Sequence, residues 1–243
     1  YRIDRLIGEG SMASVYAAEQ LSMSRQVAVK VIRPELSLEP SVVVRFRREV
    51  EAVCRLQSPH VITFHDFAQS PDELHYIVME YLHGQSLRQQ LAEGPMSVGD
   101  VISIVRQVCS ALGEAHEAGV MHRDLSPTNI FLSTAPTAWG RFVKVLDFGL
   151  AKLTEGQDSL SLTGKRKTVG TPAYISPEAV TTERTADWRS DLYTLGVIVF
   201  EMLTGQLPFF DEVAVKIAMA HAQAPIPSAR ERAAHLPEGI DSF

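Results

Sequence analysis

Apolar positions follow two different periods along this chain. Over the first 80 residues they form short strand-like runs. Tyr1 to Ile7 alternates, Gly8-Glu9-Gly10 interrupts, Ser14 to Ala18 resumes, and Gln26 to Ile32 is a run of Val, Ala and Ile broken by Lys30. Pro34 and Pro40 bracket a turn. From Ser41 the spacing turns helical, with Phe46, Val50, Val53 and Cys54 on one side and Arg45, Arg47, Arg48 and Glu51 between them. Ser58-Pro59 ends that helix, because a residue before proline avoids the α region. Two more strand runs, 61–68 and 74–80, flank a turn at Pro71-Asp72-Glu73. The pattern predicts a small antiparallel sheet with one helix.

Beyond Gly84 the period is helical. Val101, Ile104, Val105, Val108, Ala111, Leu112 and Ala115 make the cleanest amphipathic stripe, Asp191 to Leu203 is apolar nearly all round, and Asp211 to His221 is a further helix. Between these blocks Leu150 to Pro177 is irregular and rich in Ser, Thr, Gly and Lys, a length that in a compact domain points to function or disorder. No internal repeat is visible.

Composition narrows the field. Across 243 residues, 45% are hydrophobic and 21% charged, which excludes disorder as the main state. Acidic residues exceed basic ones, 29 to 23, and the net charge of −6 argues against a dedicated nucleic-acid binder. The apolar run Leu192 to Phe200 is far short of the ~20 residues a membrane-spanning helix needs. Cys54 and Cys109 show no CxxC spacing, so the expectation is a reduced, cytoplasmic domain without a disulfide framework. The first residue is Tyr1 rather than Met, so the chain reads as an excised domain and membrane anchoring of a longer protein stays open.

Five short elements carry candidate chemistry. Gly8-Glu9-Gly10-Ser11-Met12-Ala13-Ser14-Val15 lies between two strands, where glycines let backbone N–H groups approach phosphates. Taken alone, such a two-glycine turn between strands is more often a plain hairpin, and it is neither a Walker A loop nor a dinucleotide fingerprint. Lys30 in Val27-Ala28-Val29-Lys30-Val31-Ile32 is either an outward strand position or a phosphate-binding cation held by a carboxylate, with Glu49 the candidate partner. In Met121 to Leu132, His122, Asp124 and Asn129 cluster between apolar segments; Asp can accept a proton and Asn can ligate a hard cation. Asp147 closes a strand before Phe148-Gly149, as a Mg²⁺ ligand or as a turn residue. Gly170 to Glu178 forms the fifth element, followed by Asp187 and Asp191 at the head of the buried helix.

Taken in this order, the elements resemble the protein-kinase signature set: Gly-rich loop, VAVK lysine, helix Glu, HRDL-x-P-x-N, DFG and a closing PE. Phe46-Arg47-Arg48-Glu49, Val169 to Tyr174 and Ser190 to Val197 are similar, more narrowly, to bacterial eukaryotic-like (Hanks-type) serine/threonine kinases. The resemblance implies an α+β, bilobal kinase fold over residues 1–243: an N-lobe of antiparallel sheet plus one helix (1–80), a hinge (81–84) and a mainly helical C-lobe (85–243) lacking the last helices. It implies ATP-dependent phosphorylation of Ser or Thr on protein substrates, Ser/Thr rather than Tyr following from Pro127 and Gly170-Thr171. It also implies roles for residues. Ile7, Gly8, Glu9, Gly10 and Val15 would cover ATP; Lys30 would contact the α- and β-phosphates and pair with Glu49. Val15, Ala28 and Phe131 would sandwich adenine, with Met79 as gatekeeper and Glu80 and Leu82 offering backbone hydrogen bonds. Asp124 would orient or deprotonate the acceptor hydroxyl, Asn129 and Asp147 would hold Mg²⁺, and Thr171 would shape the hydroxyl site. Arg123 would read a phosphate on Thr168 or Thr163, or on Ser159 or Ser161, while Lys165-Arg166-Lys167 reads as a solvated loop run. Dimerisation for trans-autophosphorylation, and no membrane contact by this segment, complete the expectation.

Three departures qualify it. Ala13 stands where a third loop glycine is usual. Ser126 replaces the lysine expected two residues after the catalytic Asp, removing a cation near the γ-phosphate at a cost on the order of 10²-fold in rate. The arginine expected to pair with Glu178 is absent, and an apolar face is expected at the chain's end. Two rival readings remain: an ATP-binding pseudokinase scaffold, supported by Ser126, and a small-molecule kinase, opposed by the Gly-Thr-Pro-x-Tyr…Pro-Glu segment.

Overall fold

The strand-like runs of the first 80 residues pair into a five-stranded antiparallel sheet: β1 (Arg2–Glu9), β2 (Ala13–Gln20), β3 (Arg25–Ile32), β4 (Phe64–Gln69) and β5 (His75–Glu80), in the order β1-β2-β3-β5-β4. The structure is a computed structural model and describes residues 1–10, 13–137, 140–148, 172–181 and 187–242. A single turn of helix, α1 (Pro34–Ser37), precedes α2 (Pro40–Val53), and each starts with proline at its first position, where the missing N–H costs nothing.

Strand alternation gives the sheet two chemically different faces. Val27 and Val29 of β3 pack with Ala18 and Val78 on one side. Ile32 packs on the other side with Ile77 and with Val42, Phe46 and Val50 of α2. Lys30 shares the face of Ala28 and Ile32 by the two-residue period, so it points to the helix side rather than outward to solvent.

The rest is mainly helical: α3 (Leu87–Leu91), α4 (Val98–Glu117), α5 (Pro177–Val180), α6 (Trp188–Thr204), α7 (Ala214–Gln223) and α8 (Ala229–Arg232). The stripe Val101–Ile104–Val108–Ala111–Leu112–Ala115 is the buried face of α4. It joins Leu195, Ile198, Met202 and Leu203 of α6 in one core. Caps set the ends of these helices. Ser97 accepts from Asp100 N–H at the start of α4, Asp187 accepts from Arg189 N–H at the start of α6, and Gly205 closes α6 at φ 70°.

Two differences from the sequence expectation have physical causes. β4 begins at Phe64, not Val61, because Val61 and Ile62 reach to the other lobe: Val61 bridges Val145, and Ile62 N–H donates to Val145 O at 3.1 Å. A second, three-stranded sheet, β6 (Gly84–Ser86), β7 (Ile130–Thr137) and β8 (Gly140–Val145), was not expected. Its first strand is three residues long, too short to register as a period.

Gly84, in β6 opposite Ser133, sits at φ 144°, and a Cβ there would lie 2.1 Å from Leu132 O. Gly84→Ala is therefore expected to cost about 1–3 kcal/mol or more, lowering Tm by roughly 2–4 °C per kcal/mol in a thermal melt.

Candidate active site

The site forms where the first sheet meets the second. Lys30, opposite Val15 on β2 and Ile77 on β5, donates from Nζ to Asp147 Oδ1 at 2.6 Å. Asp147 follows β8 and sits at φ 58°, a conformation costly for a non-glycine residue. Lys30 thus forms an ion pair with Asp147, and Glu49 lies on α2, which packs over the same face of the sheet. Adjacent Phe148 is fully buried, its ring 4.8 Å from that of His122.

The loop 122–129 is tied to the strand end at two points. His122 Nε2 lies 2.8 Å from Leu146 O, and Leu146 N–H donates to Asn129 O at 2.8 Å. Asn129 Nδ2 donates to the Asp124 carbonyl at 2.7 Å. These bonds set Asp124, Asn129 and Asp147 side by side. Burial pushes the Asp124 carboxyl above its ordinary value; His122 pulls it down, Asp147 adds to the rise and Lys30 opposes it. One carboxylate and one amide oxygen form a hard-oxygen donor pair, which suits Mg²⁺ when substrate phosphates complete the shell.

Asp191, near the start of α6, anchors this loop from below. Its carboxylate is buried and accepts from His122 N–H (2.8 Å) and Arg123 N–H (2.9 Å), with His116 Nε2 at 2.7 Å. The two backbone bonds hold Arg123 at φ 64°. Asp191 was visible in the sequence at the head of the buried helix, but nothing in the pattern paired it with residues some 70 positions earlier.

The remaining expected residues fall around this centre. Gly8 and Val15 are cross-strand neighbours at the mouth of the β1–β2 turn, with Ile7 and Glu9 exposed on either side. Gly10 N–H donates to Ala13 O at 2.9 Å, and Arg33, which carried no sequence signal, clamps Gly10 O from Nη2 at 2.9 Å. Ala28 is buried opposite Met79, on the face of Lys30. Glu80 N–H is committed to Thr63 O (3.0 Å), and its carboxylate accepts from Thr63 N–H (2.8 Å) and pairs with the buried Lys144 Nζ at 2.6 Å. Leu82 is half-buried between β5 and β6, and Phe131 of β7 faces Ser86 and Lys144. Ser126 Oγ lies 2.7 Å from Thr128 Oγ1. Glu178 accepts from Ser190 Oγ. Ser11, Met12, Gly149, Ser159, Ser161, Thr163, Lys165, Arg166, Lys167, Thr168 and Thr171 lie outside the described residues.

A second buried network, not anticipated from the sequence, ends at Tyr174. Glu201 of α6 accepts from Arg88 Nη1 of α3 at 2.7 Å and from Tyr174 Oη at 2.5 Å. Burial and this carboxylate raise the Tyr174 phenol, which stays protonated as the donor.

Known proteins share this arrangement. Residues 1–239 match the family model described as protein kinase domain. The chain belongs to that family. It is 46% identical over 235 residues to the serine/threonine-protein kinase pkn3 of Myxococcus xanthus, covering 96% of this chain and 43% of that one. Against the serine/threonine-protein kinase PrkC of Bacillus subtilis it is 36% identical over 244 residues, covering all of this chain and 36% of that one. The kinase domain thus spans less than half the length of these relatives. The crystal structure of the Mycobacterium tuberculosis PknI kinase domain superposes with a TM-score of 0.73 at 25% identity, covering 99% of this chain and 84% of that one. The bilobal α+β architecture is that of the family, and no helix among the described residues is long and apolar enough to cross a membrane.

The raised Asp124 carboxyl has a stability consequence. With its folded value above its unfolded one, the folded state binds more protons between the two, so stability present at low pH is lost as pH rises through the folded value. At neutral pH the ionised group opposes folding. Asp124→Asn is expected to raise Tm at pH 7, with the gain vanishing by about pH 3, where the wild-type group is protonated in both states.

Proposed function

We propose that this chain is the catalytic domain of a serine/threonine protein kinase, using ATP and Mg²⁺ to phosphorylate protein substrates. The observation that carries the reading is the meeting of the Lys30–Asp147 ion pair with the Asp124–Asn129 loop at one point between the two sheets. The names of relatives at 36–46% identity, all serine/threonine-protein kinases, support it. They lend nothing to the scaffold alternative.

In this reading the acceptor oxygen attacks the γ-phosphorus, the bond from that phosphorus to the β,γ-bridging oxygen breaks, and ADP leaves with the electron pair. Asp124 orients the hydroxyl and takes its proton; a raised pKa brings the carboxylate nearer in basicity to that task. Lys30 supplies a cation for the α- and β-phosphates, and the residues 7–15 cover them, with Arg33 steadying the turn at Gly10. Val15, Ala28 and Phe131 enclose the adenine beside Met79, Glu80 and Leu82. Glu49 and Thr171 keep the supporting roles that the family motif assigns them. Mg²⁺ on Asp147 and Asn129 would neutralise charge on the phosphate oxygens. ATP as donor, together with two free cysteines, fits a cytoplasmic location for the domain. Partners are Ser/Thr-bearing proteins, with pairing of two domains for trans-autophosphorylation.

Incubation with γ-labelled ATP, Mg²⁺ and myelin basic protein should label the acceptor, and Asp124→Asn should lower the rate by about 10²–10⁴-fold. Equal labelling by the variant, or none by the native chain, contradicts the reading. Ser126→Lys should raise kcat about tenfold or more by restoring a cation near the γ-phosphate, measured as initial rate at saturating ATP.

A further inference from the structure

Arg33 ties the β1–β2 turn to the end of β3. It follows Ile32, the last residue of that strand, three positions beyond Lys30. Its own backbone is fixed on both sides. The proline after it keeps it extended, at φ −58° and ψ 142°, and its carbonyl accepts from Leu36 N–H and Ser37 N–H of α1, both at 3.0 Å. From this base the guanidinium reaches the turn, where Nη2 and Nε both donate to Gly10 O, at 2.9 Å and 3.2 Å. Glu9 Oε1 lies 3.7 Å from the same Nη2. The other bonds described for this turn are between backbone groups: Gly8 pairs with Val15, Glu9 with Ser14, and Gly10 N–H donates to Ala13 O. Glu9 and Gly10 are exposed, and glycine brings no side chain to pack. A carbonyl held by two N–H groups of one planar cation is fixed in direction as well as distance.

We propose that Arg33 is a positioning residue for the phosphate chain of the nucleotide: by holding Gly10 O it sets the β1–β2 turn relative to Lys30. This rests on the reading that Lys30 and the residues 7–15 take the phosphates of ATP. Lys30 and Arg33 leave the same strand, and that strand is paired on both edges, to β2 and to β5. The cation below the phosphates and the clasp on the turn above them therefore share one rigid base. The turn itself is the movable part, and Arg33 acts by limiting where its backbone N–H groups stand. The effect falls on ligands that carry phosphates and not on the nucleoside.

The test compares phosphate-bearing ligands with adenosine. The Arg33 side chain is 43% exposed, so Arg33→Met and Arg33→Lys should fold with a Tm near that of the wild type. Calorimetric titration of Arg33→Met with ATP and ADP in the presence of Mg²⁺ should give Kd values raised about threefold or more, while the Kd for adenosine stays within about twofold. Arg33→Lys keeps a positive charge near the phosphates but replaces the fork by a single point donor, so it should recover only part of the loss. A rise of less than about threefold for ATP in Arg33→Met, or an equal weakening of adenosine, overturns the proposal and leaves Arg33 a structural residue. Full recovery by Arg33→Lys also overturns it, because charge alone, and not the hold on Gly10, would then carry the effect. A wild-type chain that binds ATP no more tightly than adenosine would instead overturn the reading of Lys30 and the turn as a phosphate site, and this inference with it.

Discussion

The arrangement of this domain hangs on one buried carboxylate, that of Asp191. Asp191 sits near the start of α6, a helix with ten of its seventeen residues buried, and its oxygens engage the backbone of residues 122 and 123 and His116. An isolated charge in that position would be prohibitively costly, so the three donors are obligatory rather than decorative. The loop is consequently held from below with Arg123 in a left-handed conformation it would not adopt alone. From above, Leu146 receives His122 and donates to Asn129. Between these two restraints Asp124 has little freedom to move, which is what the role proposed for it needs.

The contact between the lobes follows the same economy. Val61 and Ile62 leave the first sheet to bond Val145, His60 O accepts from Val145 N–H at 2.7 Å, and Lys144 reaches back to Glu80. One strand, β8, therefore connects the hinge region, the first sheet and the end that presents Asp147. The Lys30–Asp147 bond then closes the cleft across charged side chains instead of an apolar seam. The pair is 12% and 35% exposed at its two ends.

Much of this was legible in the sequence because it rests on local periodicity. The five strands, the helix bearing Glu49, the stripe of α4 and the apolar α6 all lie where the spacing of apolar residues puts them, with limits shifted by a few residues. The motif order also brought Lys30, Asp124, Asn129 and Asp147 into one site. What spacing could not show were pairings between distant positions that carry no period: Arg33 on Gly10, Lys144 on Glu80, Arg88 on Glu201 and Tyr174. Each of these is a single charged residue that reads as an ordinary solvated position until the fold supplies its partner. The second sheet escaped notice for a related reason, since β6 is only three residues and takes its register from β7. The contact of Lys30 with Asp147, on the loop after β8 and 117 positions away, carries no local period either.

The buried carboxylate near the start of α6 is the central restraint on the loop 122–129. The direct measurement is kcat together with ATP affinity for Asp191→Asn and Asp191→Ala. The alanine variant orphans two buried backbone N–H groups, a cost of about 1–3 kcal/mol each. Loop disorder should then lower kcat on the order of 10²-fold or more, while the ATP Kd changes by less than about threefold, with Asp191→Asn falling between. A kcat within about twofold of wild type in the alanine variant would contradict the account, since Asp124 would then hold its place without the anchor.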